Sequence, residues 1–111
     1  MAAYIVAQAT PKDPDKMQEY GRAAGPTLAA YGGKLVGGGP LQTLYGETPH
    51  ERIVVLEFPD AEAAKNWYHS EEYQALLPLR TETMDSVFIL GGERGFDATA
   101  PEDDRAPLTT C

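Results

Sequence analysis

Arg52-Ile53-Val54-Val55-Leu56-Glu57-Phe58 is a run of β-branched and aromatic residues. Turn-forming residues from Gly46 to Glu51 precede it and Pro59-Asp60 closes it, so it reads as a strand. Its apolar residues are consecutive, whereas a strand with one wet face alternates apolar with polar. Tyr4-Ile5-Val6-Ala7 and Val87-Phe88-Ile89-Leu90 have the same character. At least three strands therefore need cover on both faces.

The remaining elements follow outward from this strand. Ala3 to Thr10 is a first strand stopped by Pro11. Asp13-Pro14 is an N-cap followed by proline at the first helical position, opening a helix through Met17, Tyr20, Ala24 and Leu28 to Tyr31. Gly32-Gly33 ends that helix, and Gly25-Pro26 is expected to kink or split it. Lys34-Leu35-Val36 begins a second strand, which Gly37-Gly38-Gly39-Pro40 interrupts or bends before a resumption at Leu41 to Tyr45. No helix carrying Lys-Ser/Thr follows those glycines, so they read as a bulge and not as a phosphate loop. Asp60 caps a helix from Ala61 to His69, and Ser70 caps a further piece with Glu71 and Glu72 in its first turn. Pro78 interrupts or restarts that piece, and Ser86 to Gly91 is the last strand.

The order β-α-β-β-α-β describes an α+β, ferredoxin-like domain: one four-stranded antiparallel sheet with the helices on one face. Residues 1–93 form this single domain. Residues 94–111, rich in Thr, Pro, Asp and Ala, are expected to be a flexible tail or an arm on a partner. Helices cover only one sheet face, so the other is expected to be covered by a second copy, giving a two-fold homodimer through the sheet faces.

Bulk properties exclude several classes. Of 111 residues, 42% are hydrophobic and 23% charged, which is ordinary for one globular domain. The net charge of -8 argues against nucleic acid and anionic membrane as partners. No run approaches the roughly 18 apolar residues of a membrane span. The beginning of the chain lacks a basic region followed by an apolar stretch, so no secretory signal is expected and a cytoplasmic location is. Cys111 is the single cysteine, and the placement of His50 and His69 offers no metal-ligand spacing. No metal or other cofactor is therefore expected.

Candidate chemistry concentrates between Trp67 and Arg80. At helical spacing Tyr73, Leu77 and Arg80 share a face, and a guanidinium on an apolar stripe must find an anion or a carbonyl. Arg80 either anchors a ligand carboxylate, with Tyr73 and Tyr31 or Tyr20 shaping the pocket, or pairs internally with Glu57, Asp85 or a helix-end carbonyl. His69 is either a proton acceptor, if it faces a pocket, or an imidazole at a helix C-terminus. Adjacent residues on a helix point about 100° apart, so His69 and Ser70 do not read as a base–nucleophile pair. Trp67 and Tyr68 cannot share a face either; one packs as core and the other looks outward or into a cleft. His50, in a turn beside Glu51, is expected to be exposed.

Taken together, Tyr4-Ile5-Val6, Asp13-Pro14, Tyr31-Gly32-Gly33, Val54-Val55-Leu56-Glu57-Phe58-Pro59 and Trp67-Tyr68-His69-Ser70-Glu71-Glu72-Tyr73-Gln74 resemble the domain-of-unknown-function 1330 family. The resemblance spans about Ala3 to Glu93. It implies the dimeric α/β-barrel superfamily, in which two ferredoxin-like sheets pack face to face. That superfamily includes cofactor-free monooxygenases, haem-handling and dehalogenating enzymes, lactone isomerases and stress-responsive proteins. A shared fold does not transfer chemistry. The chain departs from the family pattern at Glu71, where relatives often have proline, and at Pro78, inside a segment that is usually continuous helix.

Two functional readings follow. In one, a small anionic or aromatic molecule is held by Arg80, Tyr73, Tyr31 and Tyr20, with His69 as a proton acceptor in a cofactor-independent enzyme. In the other, the dimer is a non-catalytic binding or regulatory protein whose pocket is filled by its own side chains.

Overall fold

Strand β1 (Ala3–Pro11) leads into helix α1 (Pro14–Ala29), then strands β2 (Lys34–Pro40) and β3 (Arg52–Phe58). Helices α2 (Ala61–Tyr68), α3 (Glu71–Gln74) and α4 (Leu77–Thr83) follow, and strand β4 (Met84–Gly91) completes the order. The structure is a computed structural model that describes residues 2–96. The strands form one antiparallel sheet in the order β2-β3-β1-β4, with β1 and β3 in the middle. This is the ferredoxin-like β-α-β-β-α-β arrangement, with three short helices in place of one in the second crossover.

Local chemistry sets the helix ends. The Asp13 carboxylate accepts from Lys16 N at 3.2 Å, and Pro14 stands in the first turn of α1. Asp60 accepts from Ala63 N at 2.7 Å, and Ser70 Oγ accepts from Tyr73 N at 3.1 Å. Each cap satisfies an amide that the helix itself leaves unpaired. After α1 the chain turns through Gly32 at a φ of 78°, which favours glycine. A Cβ on Gly33 would lie 2.5 Å from the Phe58 ring and 2.6 Å from Leu28, so a side chain there would force the helix end off the sheet.

The helices lie against one sheet face. Ile5, Leu56 and Phe58 form the core there with Ala64, Trp67 and Tyr73. Tyr20, Ala24 and Leu28 of α1, with Val54, Phe88 and Leu90, pack around them. Alternation in β1 follows: Ala3, Ile5, Ala7 and Ala9 are buried, while Tyr4, Val6, Gln8 and Thr10 point to the other face and are half-covered. The register places Val6 beside Val55 and Ile89, and Gln8 beside Ile53 and Val87. Val87 and Ile89 stay 46% and 49% exposed. Consecutive apolar residues thus give this chain a dry face and an apolar open one.

Several sequence expectations need correction. Gly37-Gly38-Gly39-Pro40 does not interrupt β2 but lies within it, pairing with β3, and the irregularity falls at Val36, where the register shifts between Leu35 and Gly37. The strand does not resume at Leu41 to Tyr45. Those residues belong to a loop whose Leu44 and Tyr45 are almost fully exposed. Gly25-Pro26 does not split α1, because Pro26 is accommodated within a helix that reaches Ala29. His50 is half-buried rather than exposed: its Nδ1 is 3.0 Å from Thr10 Oγ1, and Thr48 Oγ1 donates to Gln8 at 2.7 Å, docking the loop's base on β1.

No described helix is long and apolar enough to cross a membrane. The tail expected over 94–111 lies outside the described residues from 97 onward. Before that point the chain turns back, with Phe96 N donating to Glu93 O at 3.1 Å and the Lys65 ammonium 5.2 Å from the Phe96 ring.

Candidate functional site: an arginine held by phenols

Trp67 and Tyr68 part as adjacent helical residues must. Trp67 is buried against Phe58 and Tyr73, and its Nε1 donates to Thr27 Oγ1 at 3.0 Å. Tyr68 turns toward β4, its ring 6.0 Å from that of Phe88. Ser70 then makes the corner between α2 and α3, donating to Trp67 O at 2.8 Å while capping α3. Gln74 Nε2 donates to Tyr68 O at 2.6 Å and ties α3 back to α2. That corner fixes Tyr73, which is fully buried, with its hydroxyl aimed at α1 and α4.

Arg80 Nη1 donates to the Tyr73 hydroxyl at 2.9 Å and, at a longer 3.3 Å, to that of Tyr68. Its Cζ lies 4.6 Å from the centre of the Phe88 ring, within cation–π range. The Tyr73 hydroxyl is also 2.6 Å from that of Tyr20, so α1, α2, α3, α4 and β4 meet at one polar point inside an aromatic cluster.

The internal ion pair considered for Arg80 does not form. Glu57 accepts from the Tyr4 hydroxyl at 3.0 Å and pairs with Lys34 at 3.4 Å, on the open sheet face. Asp85 pairs with Lys12 at 3.7 Å. Among the described residues no carboxylate reaches Arg80, and phenols take the place that charge would assign to an acid.

Burial pushes the Tyr20 phenol well above tyrosine's ordinary range, and the neighbouring Tyr73 pushes it further. Burial also raises Tyr73, although the Arg80 charge pulls the other way. For Arg80, burial works against the charge, but the Tyr73 and Tyr68 phenols outweigh it and the guanidinium stays ionised. The cluster is therefore a fixed cation beside the neutral hydroxyl groups of Tyr73 and Tyr20. It suits binding or stabilising negative charge, and these phenols do not suit removal of a proton at neutral pH.

Of the residues singled out in the sequence, the structure brings together Arg80, Tyr73 and Tyr20. Tyr31 packs against the core and shares no ring contact or side-chain hydrogen bond with Arg80 among the described residues. His69 caps α2, its amide donating to Lys65 O at 2.9 Å and its ring edge-on to Tyr68 at 5.5 Å. Two members were missed as partners of Arg80: Tyr68, separated from it by two helix breaks, and Phe88, whose face depends on strand register. Strand parity carried a signal for Phe88, since it falls in phase with the core residue Leu90.

Residues 2–92 match the family described as Domain of unknown function (DUF1330). The chain belongs to this family. The DUF1330 match takes in every element from β1 to β4, and so the whole Arg80 cluster. None of the curated proteins matches the chain in sequence. Among solved structures, it is similar to a protein of unknown function from Rhodopseudomonas palustris, with 19% identity, 80% of this chain and 79% of that one covered, and a TM-score of 0.67. It is also similar to SnoaB, a cofactor-independent oxygenase from Streptomyces nogalater, with 12% identity, coverage of 86% and 95%, and a TM-score of 0.63. A dimeric ferredoxin-like protein of unknown function from Thermobifida fusca has 18% identity, coverage of 81% and 89%, and a TM-score of 0.57. At these identities the likeness is one of fold, and it bears out the ferredoxin-like reading of this DUF1330 chain.

Proposed function

We propose that this protein is a homodimer, joined through its open sheet faces, that holds a small anionic or aromatic molecule at Arg80. The observation that carries the ligand reading is the half-buried guanidinium with no carboxylate partner among the described residues. A buried charge without its counterion is costly, and an incoming anion relieves that cost. Tyr73 and Tyr20 support the site from within. His69, one ring away beyond Tyr68, is the candidate proton acceptor if chemistry takes place. The likeness to a cofactor-independent oxygenase makes catalysis without a cofactor one version of this reading.

The dimer is supported by the apolar open face of Val6, Ile53, Val55, Val87 and Ile89, and by a dimeric ferredoxin-like neighbour. Covering the exposed half of Val87 and of Ile89 would contribute about 1 kcal/mol each. One observation favours a binding role over an enzymatic one: burial holds the Tyr73 and Tyr20 phenols protonated, so these two do not act as bases.

A thermal-shift screen against carboxylates, phosphates and aromatic compounds tests the site, because a ligand of the native state raises the melting temperature by mass action. A hit that is lost in a folded Arg80→Ala variant supports it. If no compound of these classes shifts the wild-type protein, the ligand reading fails.

A further inference from the structure

We infer that Arg80 presents a two-pronged, side-on fork, its Nε–H and Nη2–H, that takes a ligand carboxylate or an equivalent planar two-oxygen anion. This deepens the ligand reading proposed above and rests on it. A guanidinium has five N–H donors, distributed over Nε, Nη1 and Nη2. Both hydrogen bonds that Arg80 makes to described residues leave from Nη1, toward the Tyr73 and Tyr68 hydroxyls. Nε and Nη2 make none with described residues, and neither is among the fully buried polar atoms that lack a partner, so neither is sealed off completely from solvent. Those two nitrogens form the edge that grips both oxygens of a carboxylate at once.

The rest of the cluster determines how that edge is held. Two phenols fix Nη1 from the interior, and the Phe88 ring at 4.6 Å from Cζ limits tilting of the guanidinium. Tyr73 is fully buried, so it is a positioning residue and does not itself contact the ligand. Tyr20 stands one step further back, with its hydroxyl 2.6 Å from that of Tyr73. Among the described residues, the polar groups that contact the cation are phenol oxygens, and none is a carboxylate. What completes the site must therefore be rich in acceptors. A cation or a molecule bearing only donors finds no match. Flanking rings of Tyr68 and Phe88 add apolar surface for the ligand's body.

Benzoate, benzamide and benzylammonium share one ring and differ at the group offered to the fork, so their affinities for the full-length protein, measured by calorimetry at neutral pH, test the assignment. Benzoate should bind at least about tenfold more tightly than benzamide, the margin expected of charge-assisted hydrogen bonds, and benzylammonium should not bind. Arg80→Lys keeps the charge and loses the fork, and should lower the benzoate-to-benzamide ratio severalfold without abolishing it while the protein stays folded. Tyr73→Phe should lower the benzoate-to-benzamide ratio while the protein stays folded, an effect that mere loosening of the core would not produce. Equal binding of benzoate and benzamide to the wild type overturns the fork but leaves an aromatic site standing. A preference for benzoate that is undiminished in Arg80→Lys also overturns it. Binding of none of the three overturns both the fork and the ligand reading on which it rests.

Discussion

Arg80 and Tyr73 meet through a 2.9 Å hydrogen bond although the helix expected to carry both is broken between them. The phenol accepts from the guanidinium and forms a hydrogen bond with the Tyr20 hydroxyl at 2.6 Å. Three elements are thereby joined through one oxygen atom. Tyr73→Phe should cost about 1–3 kcal/mol in denaturant unfolding, since it removes a charge-assisted bond and leaves the buried Tyr20 hydroxyl without its partner. A Tyr20→Phe/Tyr73→Phe double-mutant cycle should show coupling of at least about 0.5 kcal/mol, and strict additivity would contradict the shared bond.

Stability should fall in alkali. In the folded chain Tyr20 and Tyr73 have pKa values raised above the ordinary tyrosine value of 10.0. Above about pH 10 the unfolded chain has released these protons and the folded chain has not, so each phenol subtracts about 1.4 kcal/mol per further pH unit. Below about pH 10 the contribution is fully present. Unfolding midpoints measured from pH 8 to 11 should drop, and less steeply in Tyr20→Phe. A midpoint that is flat across this range would show that both phenols titrate normally.

Trp67 is the single tryptophan and reports on the core directly. Trp67→Ala should destabilise by about 3–5 kcal/mol through the cavity it leaves. Thr27→Ala strands the indole N–H and should cost about 1–3 kcal/mol while shifting the tryptophan emission. Unchanged emission in Thr27→Ala would contradict the 3.0 Å bond.

Ser70→Ala removes both the cap of α3 and the tether to Trp67 O, at a cost of about 1 kcal/mol or somewhat more. Because that corner aims Tyr73, the same substitution should weaken whatever the Arg80 cluster holds. Circular dichroism melts measure the first effect and ligand titration the second.

Ile89→Asp places a charge on the open sheet face, at a residue already 49% exposed, so the single fold should tolerate it. The dimer reading expects sedimentation equilibrium to show a mass near twice 12.0 kDa for the wild type and the single mass for the variant. A wild type that sediments as one chain at micromolar concentration would refute the dimer.

What the sequence made legible divides by range. Asp13, Asp60 and Ser70 could be read as caps because a capping side chain reaches an amide only three residues away. Consecutive apolar residues in β1, β3 and β4 announced a sheet that is apolar on both faces, since side-chain alternation is also a local property. The glycines of β2 misled because their pairing is decided by β3, which lies beyond an intervening loop. Arg80 misled for a related reason. Charge alone nominates Glu57 or Asp85, but which groups arrive depends on how α2, α3 and β4 are set around α4. Only the assembled sheet shows that both acids face lysines elsewhere.

Helix α4 ends at Thr83 and β4 begins at Met84, with no loop between them. Thr83 is fully buried. Its carbonyl accepts from Lys12 N at 2.7 Å, and its hydroxyl donates to Arg80 O at 3.0 Å, clamping the junction on both sides. The guanidinium and the outward residues Val87 and Ile89 therefore sit on one lever, a helix and a strand joined without a loop. In the proposed dimer, a ligand that displaced that lever would link occupancy thermodynamically to self-association, each altering the other's affinity by the same factor.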